Sequence, residues 1–318
     1  MTVNAHLEEL HCLPAYDFPR RGEPDEQSTL PEPESVAWRL AVDPDGGESF
    51  EECWKRFLET VDPAGVRALV IGQWGEAGDE DCAPVIELVT AARDRLTGLV
   101  AVFLGDLVAR ETEISWIQQA DVTPLLEAFP ALEELGVRGG DGLAFPAVRH
   151  ERLRTLAFES GGLPAQVVRG VAASELPALR WLEMWLGVPE YGGDWTVEDI
   201  APLLEADRFP ELRHLGLQNT EVQDELAARV AKAPVVPRLT SLSLSMGTLT
   251  DTGAEALLEG RSLTHLQLLD LHHHYLSDAM TTRLRAALEP HGVEVDLDEQ
   301  EEPEEDSEGI WRYAAVTE

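Results

Sequence analysis

Between Leu212 and Met280 the chain repeats itself every 27 residues. Leu212, Leu239 and Leu266 open three copies, Leu215, Leu242 and Leu269 follow three residues on, and Leu217, Leu244 and Leu271 come two later. Val222, Leu249 and Leu276 then close a turn, and Asp224, Asp251 and Asp278 stand where a helix would start, in the place of an N-cap acid. A unit this short cannot bury its own apolar face, so copies must stack and share a continuous core. The repeat therefore predicts a solenoid before anything else about the chain is considered.

Looser copies fill the chain upstream: Val66, Leu69 and Ile71; Leu99, Val102 and Leu104; Leu132, Leu135 and Val137; Leu153, Leu156 and Phe158; Leu179, Leu182 and Met184. Val36, Trp38, Leu40 and Val42 alternate like an opening strand, and Val293 and Val295 like a closing one, for about ten strands in all. Between them, stretches from Pro84 to Leu96, Pro164 to Leu176 and Thr196 to Phe209 carry apolar residues at helical spacing.

The segment LTDTGAEALL, Leu249 to Leu258, resembles the strand exit and helix start of the ribonuclease-inhibitor-like class of leucine-rich repeats. The whole chain resembles an uncharacterised actinobacterial leucine-rich-repeat family through HLEELHCLPAYDF from His6, ISWIQQADVTPLLEAFPALEELGVRGG from Ile114, HERLRTLAFESGGLP from His150, LDLHHHYLSD from Leu269 and RYAAV from Arg312. The resemblance implies an α/β fold, a right-handed leucine-rich-repeat solenoid (horseshoe) with parallel strands on the concave face and helices on the convex face; crossovers of that hand are the rule between parallel strands. It implies no activity. One departure is visible: the asparagine that commonly ends the repeat's ladder is replaced by Thr220, Gly247 and His274, so ladder bonds there must be weaker or come from backbone and water.

The domain boundaries expected are an irregular leader or N-terminal cap over 1–34, with five prolines, a solenoid over 35–295, and an acidic, disordered tail over 296–318. From Asp296 to Glu308 the tail holds nine acids and no base. Ile310, Trp311, Tyr313 and Val316 beyond it read as a frayed end, with a docking strand as the sharper alternative.

Sixty acidic against 24 basic residues give a formal charge of -36, which repels phosphate backbones and disfavours nucleic acid as a partner. No apolar run approaches the ~20 residues that span a bilayer, and no N-terminal basic-apolar leader is present, so a cytoplasmic protein without membrane contact is expected. Cys12, Cys53 and Cys82 are odd in number and lack C-x-x-C spacing, consistent with free thiols.

Strand alternation makes the candidate surface readable. If each pair of aliphatics points inward, the residues before, between and after them line the other face. Glu134, Arg138, Glu159, Trp181, Glu183, Trp185, His214, Gln218, Asp270 and His272 are the partner-binding candidates. Trp181 and Trp185 share one strand, and Gly216 and Ser243 leave room beside them for a shallow aromatic-walled pocket. Trp74, Trp116, Tyr191 and Trp195, on longer loops at the carboxyl edge, are expected to join it or cover it. His272-His273-His274 tempts toward a metal site, but His274 falls at the ladder position, where an inward imidazole would bond backbone; structural histidines are the expectation, with no metal.

Phosphate-loop, H-E-x-x-H and G-x-S-x-G motifs are all missing, so no catalytic residue and no cofactor is expected. The reading that follows is a non-enzymatic protein-binding or scaffold module using the concave face and carboxyl-edge loops. The alternative is a metal-dependent enzyme or accessory protein centred on Glu183, His214, Asp270 and His272.

Overall fold

The computed structural model describes residues 4–22, 29–307 and 309–317. A single twelve-stranded sheet runs through it in strict chain order: β1 Glu9–Leu10, β2 Leu13–Asp17, β3 Ala37–Leu40, β4 Ala68–Ile71, β5 Ala101–Leu104, β6 Glu134–Arg138, β7 Thr155–Glu159, β8 Trp181–Trp185, β9 His214–Gln218, β10 Ser241–Ser243, β11 Leu268–Asp270 and β12 Glu294–Asp296. Only β1 and β2 pair antiparallel; every later neighbour is parallel, and the sheet stays open with no closing pair between its ends. Helices α1 Phe50–Thr60, α2 Ala83–Ala91, α3 Thr123–Ala128, α4 Ala165–Ala173, α5 Val197–Ile200, α6 Gln223–Val230, α7 Asp251–Glu259 and α8 Asp278–Leu288 lie between successive strands from β3 onward, except between β6 and β7, which a loop joins. This is an α/β repeat fold in a solenoid-like arrangement.

The inward columns fall where the repeat places them. From Leu69 and Ile71 through Leu242 and Leu244 to Leu269 and Leu271, both aliphatics of every repeat strand are fully buried. They join the helices' apolar faces in one core. Register follows as well: Leu215 pairs with Leu242, and Leu242 with Leu269. Asn219, Met246 and His273, again 27 apart, all take the left-handed conformation just past their strands, with φ of 58°, 64° and 54°. The strand exit is thus a fixed backbone shape, tolerable for asparagine and costly for the other two.

Two local expectations are corrected. Asp251 and Asp278 are not N-caps but first helical residues, behind Thr250 and Ser277, whose side chains cap. The repeat acids instead reach the next unit: Asp224 accepts from the Thr250 N–H and hydroxyl and from the Gly253 N–H, and Asp251 from the Ser277 N–H and hydroxyl. The helix expected over Thr196–Phe209 is α5 followed by a 3-10 turn, Ala201–Leu204, because Pro202 has no N–H to continue the ladder. The missing ladder asparagine is compensated at His274, which is fully buried: its Nε2 lies 3.1 Å from Leu297 O, and the Leu276 N–H donates to its Nδ1 at 3.1 Å.

Both chain ends carry regular structure, the first as a cap on the sheet and the last as a docked segment. The leader, apart from 1–3 and 23–28, which lie outside the described residues, supplies the two first strands of the sheet. Its residues Leu7, Leu10 and Leu13 cross the face of the sheet away from the helices and pack on Ala37, Ala68, Val70, Ala101 and Phe103. At the other end, β13 Glu304–Glu305 and β14 Ile310–Trp311 form a small hairpin, and Ala314 and Val316 are buried. The Ala315 N–H donates to Met246 O, Asn219 exchanges hydrogen bonds with both the N–H and the carbonyl of Val316, and the Ser115 hydroxyl donates to Thr317 O at 2.6 Å. The tail therefore docks across the strand exits, while Ile310, Trp311 and Tyr313 stay exposed. Backbone pairing outweighs the aromatics because the left-handed exits leave carbonyls and the Asn219 amide facing that edge.

Candidate functional site

The face of the sheet away from the helices divides in two. On β3 to β5 it is apolar and lies under the leader. The Leu7 N–H donates to Asp106 Oδ1 at 3.0 Å, and His11 Nδ1 lies 3.0 Å from Glu134 Oε2. Asp106, fully buried, also meets Arg39 Nε at 2.7 Å and Arg138 Nη1 at 3.3 Å, and Arg138 Nε donates to Glu159 Oε2 at 2.7 Å. Three of the sequence candidates, Glu134, Arg138 and Glu159, are thereby paired within the chain.

On β8 to β12 the same face is polar and aromatic. Strand pairing sets Trp181 beside His214, Glu183 beside Gly216 and Trp185 beside Gln218. The Trp181 indole stacks on the His214 imidazole, with centroids 3.5 Å apart and 10° between planes. Both indoles turn their N–H toward one carboxylate: Trp181 Nε1 donates to Glu183 Oε2 at 3.1 Å and Trp185 Nε1 to Oε1 at 3.2 Å. Trp181 nevertheless stays 41% exposed, and Trp185 is half-buried.

Beyond this pair a polar ladder crosses the strands. The Gln218 amide donates to Ser243 Oγ at 2.6 Å and Ser245 Oγ at 3.1 Å, and the Ser243 hydroxyl donates to Asp270 Oδ2 at 2.7 Å. His272 Nδ1 lies 2.7 Å from Asp270 Oδ1. Asp296 completes that end: one ligand atom each from Asp270, His272 and Asp296 lie within 4.8 Å of one another. Sequence reading missed Asp296 because the boundary placed it in the tail, although it follows Val295 on a strand.

Burial dominates the protonation of the site. It pushes the Glu183 carboxyl above its ordinary value despite the two indole hydrogen bonds, and the charges of Glu159 and Asp270 push the same way. Desolvation takes His214 down to about 4, against the field of Asp270, so the imidazole is neutral near pH 7. The Asp270–His272 contact is different: the hydrogen bond His272 donates to Asp270 raises His272, and, against the burial that raises it, the hydrogen bonds Asp270 accepts from His272 and Ser243 hold its carboxyl below the usual value.

The carboxyl-edge aromatics do not gather at this site. Trp74 and Trp195 turn inward, donating to Glu80 O and Leu186 O, and of the three loop tryptophans only Trp116 is exposed, at 56%. A cavity of about 590 Å³, lined by Tyr16, Arg39 and Arg110 among others, lies at the N-terminal end instead. His273 also leaves the surface strip, its Nε2 lying 3.1 Å from Tyr313 O in the docked tail.

Among solved structures, the chain is similar to a crystal structure from Bacteroides fragilis, a target of the Northeast Structural Genomics Consortium. The two share 31% identity at a TM-score of 0.78, over 84% of this chain and 76% of that one. This chain belongs to the same family. No protein-family model and no curated protein matches it. The relative comes without a stated activity, so the likeness carries fold and family, and function rests on the chemistry of the β8 to β12 strip.

Proposed function

We propose that this protein is a non-catalytic protein-binding module of the leucine-rich-repeat class, a right-handed horseshoe whose concave face recognises its partner only along β8 to β12. The observation that carries this reading is Trp181, a large indole held in a fixed pose by His214 and Glu183 yet left 41% exposed. Exposed tryptophan is costly to maintain and over-represented among interface anchors. The matching apolar strip on β3 to β5 is closed by the chain's own leader, which shows that this chain can cover such a surface. A cytoplasmic setting fits three free cysteines, two of them buried with thiols pushed up to about 11 at Cys53 and about 12 at Cys82.

Capture of partners by immobilised wild-type protein, compared with the Trp181→Ala/Trp185→Ala double variant, tests the reading. Loss of ~2 kcal/mol or more per anchor is expected with unchanged circular dichroism, and Arg229→Ala on α6 should bind as the wild type does. A folded double variant that captures the same proteins equally well would remove the strip from consideration.

A second reading, a metal-dependent accessory protein, draws on the convergence of Asp270, His272 and Asp296. Glu183 and His214 stand outside that trio. Metal content after purification without nickel affinity decides it: stoichiometric zinc or iron favours this reading, and an empty, tightly folded protein removes it.

A further inference from the structure

Three polar side chains, two of them with an unpartnered buried atom, converge near Gly216. His214 and Gln218 are each 5% exposed, and His214 Nε2 and Gln218 Oε1 have no hydrogen-bond partner. The third group is the Glu183 carboxylate, whose Oε2 lies 3.9 Å from His214 Nε2 and which retains lone pairs after accepting both indoles. A Cβ added to Gly216 would fall 3.1 Å from Glu183 Cγ, 3.2 Å from His214 Nε2 and 3.6 Å from Gln218 Cδ, so glycine leaves a notch bounded by these three side chains. Buried polar atoms without a partner are costly, which marks the notch as a place for a further polar group.

A cationic donor would satisfy all three groups at once. Among the described residues no lysine or arginine pairs with Glu183 or Asp270, and the nearby Arg138 is spent on Asp106 and Glu159. Indole faces beside a carboxylate also favour a cation. Resting on the protein-binding reading above, we infer that the Gly216 notch receives the ammonium of a lysine side chain from a partner protein. Its three N–H donors meet Glu183, Gln218 Oε1 and His214 Nε2, the last carrying its lone pair in the tautomer whose Nδ1–H donates to Ser241 Oγ, 2.7 Å away. The alkyl stem lies against the indoles. A compact ammonium, which can approach polar atoms more closely than a methyl group, suits so narrow a space, whereas a planar guanidinium fork does not. The chain has only two lysines of its own, Lys55 within α1 and Lys232 just past α6, both on the helical side of the repeats. The Trp181 indole stacks on the face of His214 and donates to Glu183, so its N–H lies at the notch and is the natural reporter.

The test is a titration of the full chain, ¹⁵N-labelled at tryptophan, with an acetylated pentapeptide carrying a single central lysine. Saturable shifts of the Trp181 and Trp185 indole N–H resonances are expected, at least about tenfold weaker with arginine in place of lysine and none with norleucine. Gly216→Ala, which fills the notch, and Glu183→Gln, which removes the charge, should each weaken lysine-peptide binding by about tenfold or more. Should Gly216→Ala fail to fold, Glu183→Gln carries the comparison alone. Absent shifts, an equal response to norleucine or arginine, or undiminished binding by folded Gly216→Ala would overturn the inference. Tighter binding of spermidine than of the peptide would overturn the protein source of the ammonium. Peptide failure alongside intact Trp181/Trp185-dependent partner capture rejects the lysine site alone; loss of that dependence rejects the wider reading.

Discussion

The two halves of the sheet's helix-free face solve one problem in opposite ways. On β3 to β5 the exposed positions are Ala37, Ala68, Val70, Ala101 and Phe103, and the leader covers them with Leu7, Leu10 and Leu13. On β8 to β12 the corresponding positions include tryptophan, glutamate, histidine, serine and aspartate, which bond one another both along and across strands. An apolar strip must be buried by something, and here the chain supplies the cover. A polar-aromatic strip holds its own geometry while staying accessible, and that is the property a recognition surface needs.

The contrast breaks most severely at its boundary. Asp106→Ala strips Arg39 and Arg138 of a buried partner and releases the leader's anchor, so chemical denaturation should show a loss of ~3–5 kcal/mol. A loss under ~1 kcal/mol would mean the leader is not held by that node. Leu10→Ala, on the covered half, should cost ~2–5 kcal/mol by the same measurement, and a neutral outcome would deny that the leader's contact is a true core.

A pH series probes the open half. His214 binds a proton at about 4 in the folded chain and near its ordinary 6.5 when unfolded. The unfolded state therefore takes up the proton first as pH falls, and stability present above pH 6.5 is lost down to about pH 4, by on the order of 3 kcal/mol. His214→Asn should give a shallower decline across that window; identical slopes would show that the imidazole is not desolvated.

Truncation after Arg312 is expected to cost ~1–3 kcal/mol, because the buried Asn219 side chain loses both partners on Val316. Unchanged melting would return residues 313–318 to the status of a loose end. Smallest is Trp181→Ala, expected to cost about 1 kcal/mol or less in thermal unfolding because the ring is 41% exposed and gives up only its stacking on His214 and one hydrogen bond to Glu183. A large loss there would make Trp181 a core residue and erase the difference between the halves.

Periodicity made the repeats legible. Leu242 and Leu244 are buried and Trp181 and Glu183 face outward because a two-residue alternation admits no other assignment once one register is fixed. Ser243 shows the limit of that reading: it faces away from the core yet is buried and bonded to Gln218, Ser245 and Asp270, so its replacement by alanine is expected to be costly. Contacts without a period stayed hidden. Leu7 meets Asp106 at a separation of 99 residues and Val316 meets Asn219 at 97, and no local pattern announces either. The acids at helix starts were visible, but a cap and a clamp to the next repeat demand the same residue type, and only spacing in three dimensions separates them.

The docked tail alters how the array can come apart. Units that touch only their neighbours can fray from an end, one after another. Here the last residues bridge Met246, Asn219 and Ser115, the final bond spanning 202 positions of chain. Peeling off the terminal repeat must therefore also release bonds at three earlier units, so the intermediate states that a linear array would populate are penalised. Unfolding should be cooperative across the molecule from Ser115 to Thr317, with amide exchange in the last repeat as slow as in the middle ones.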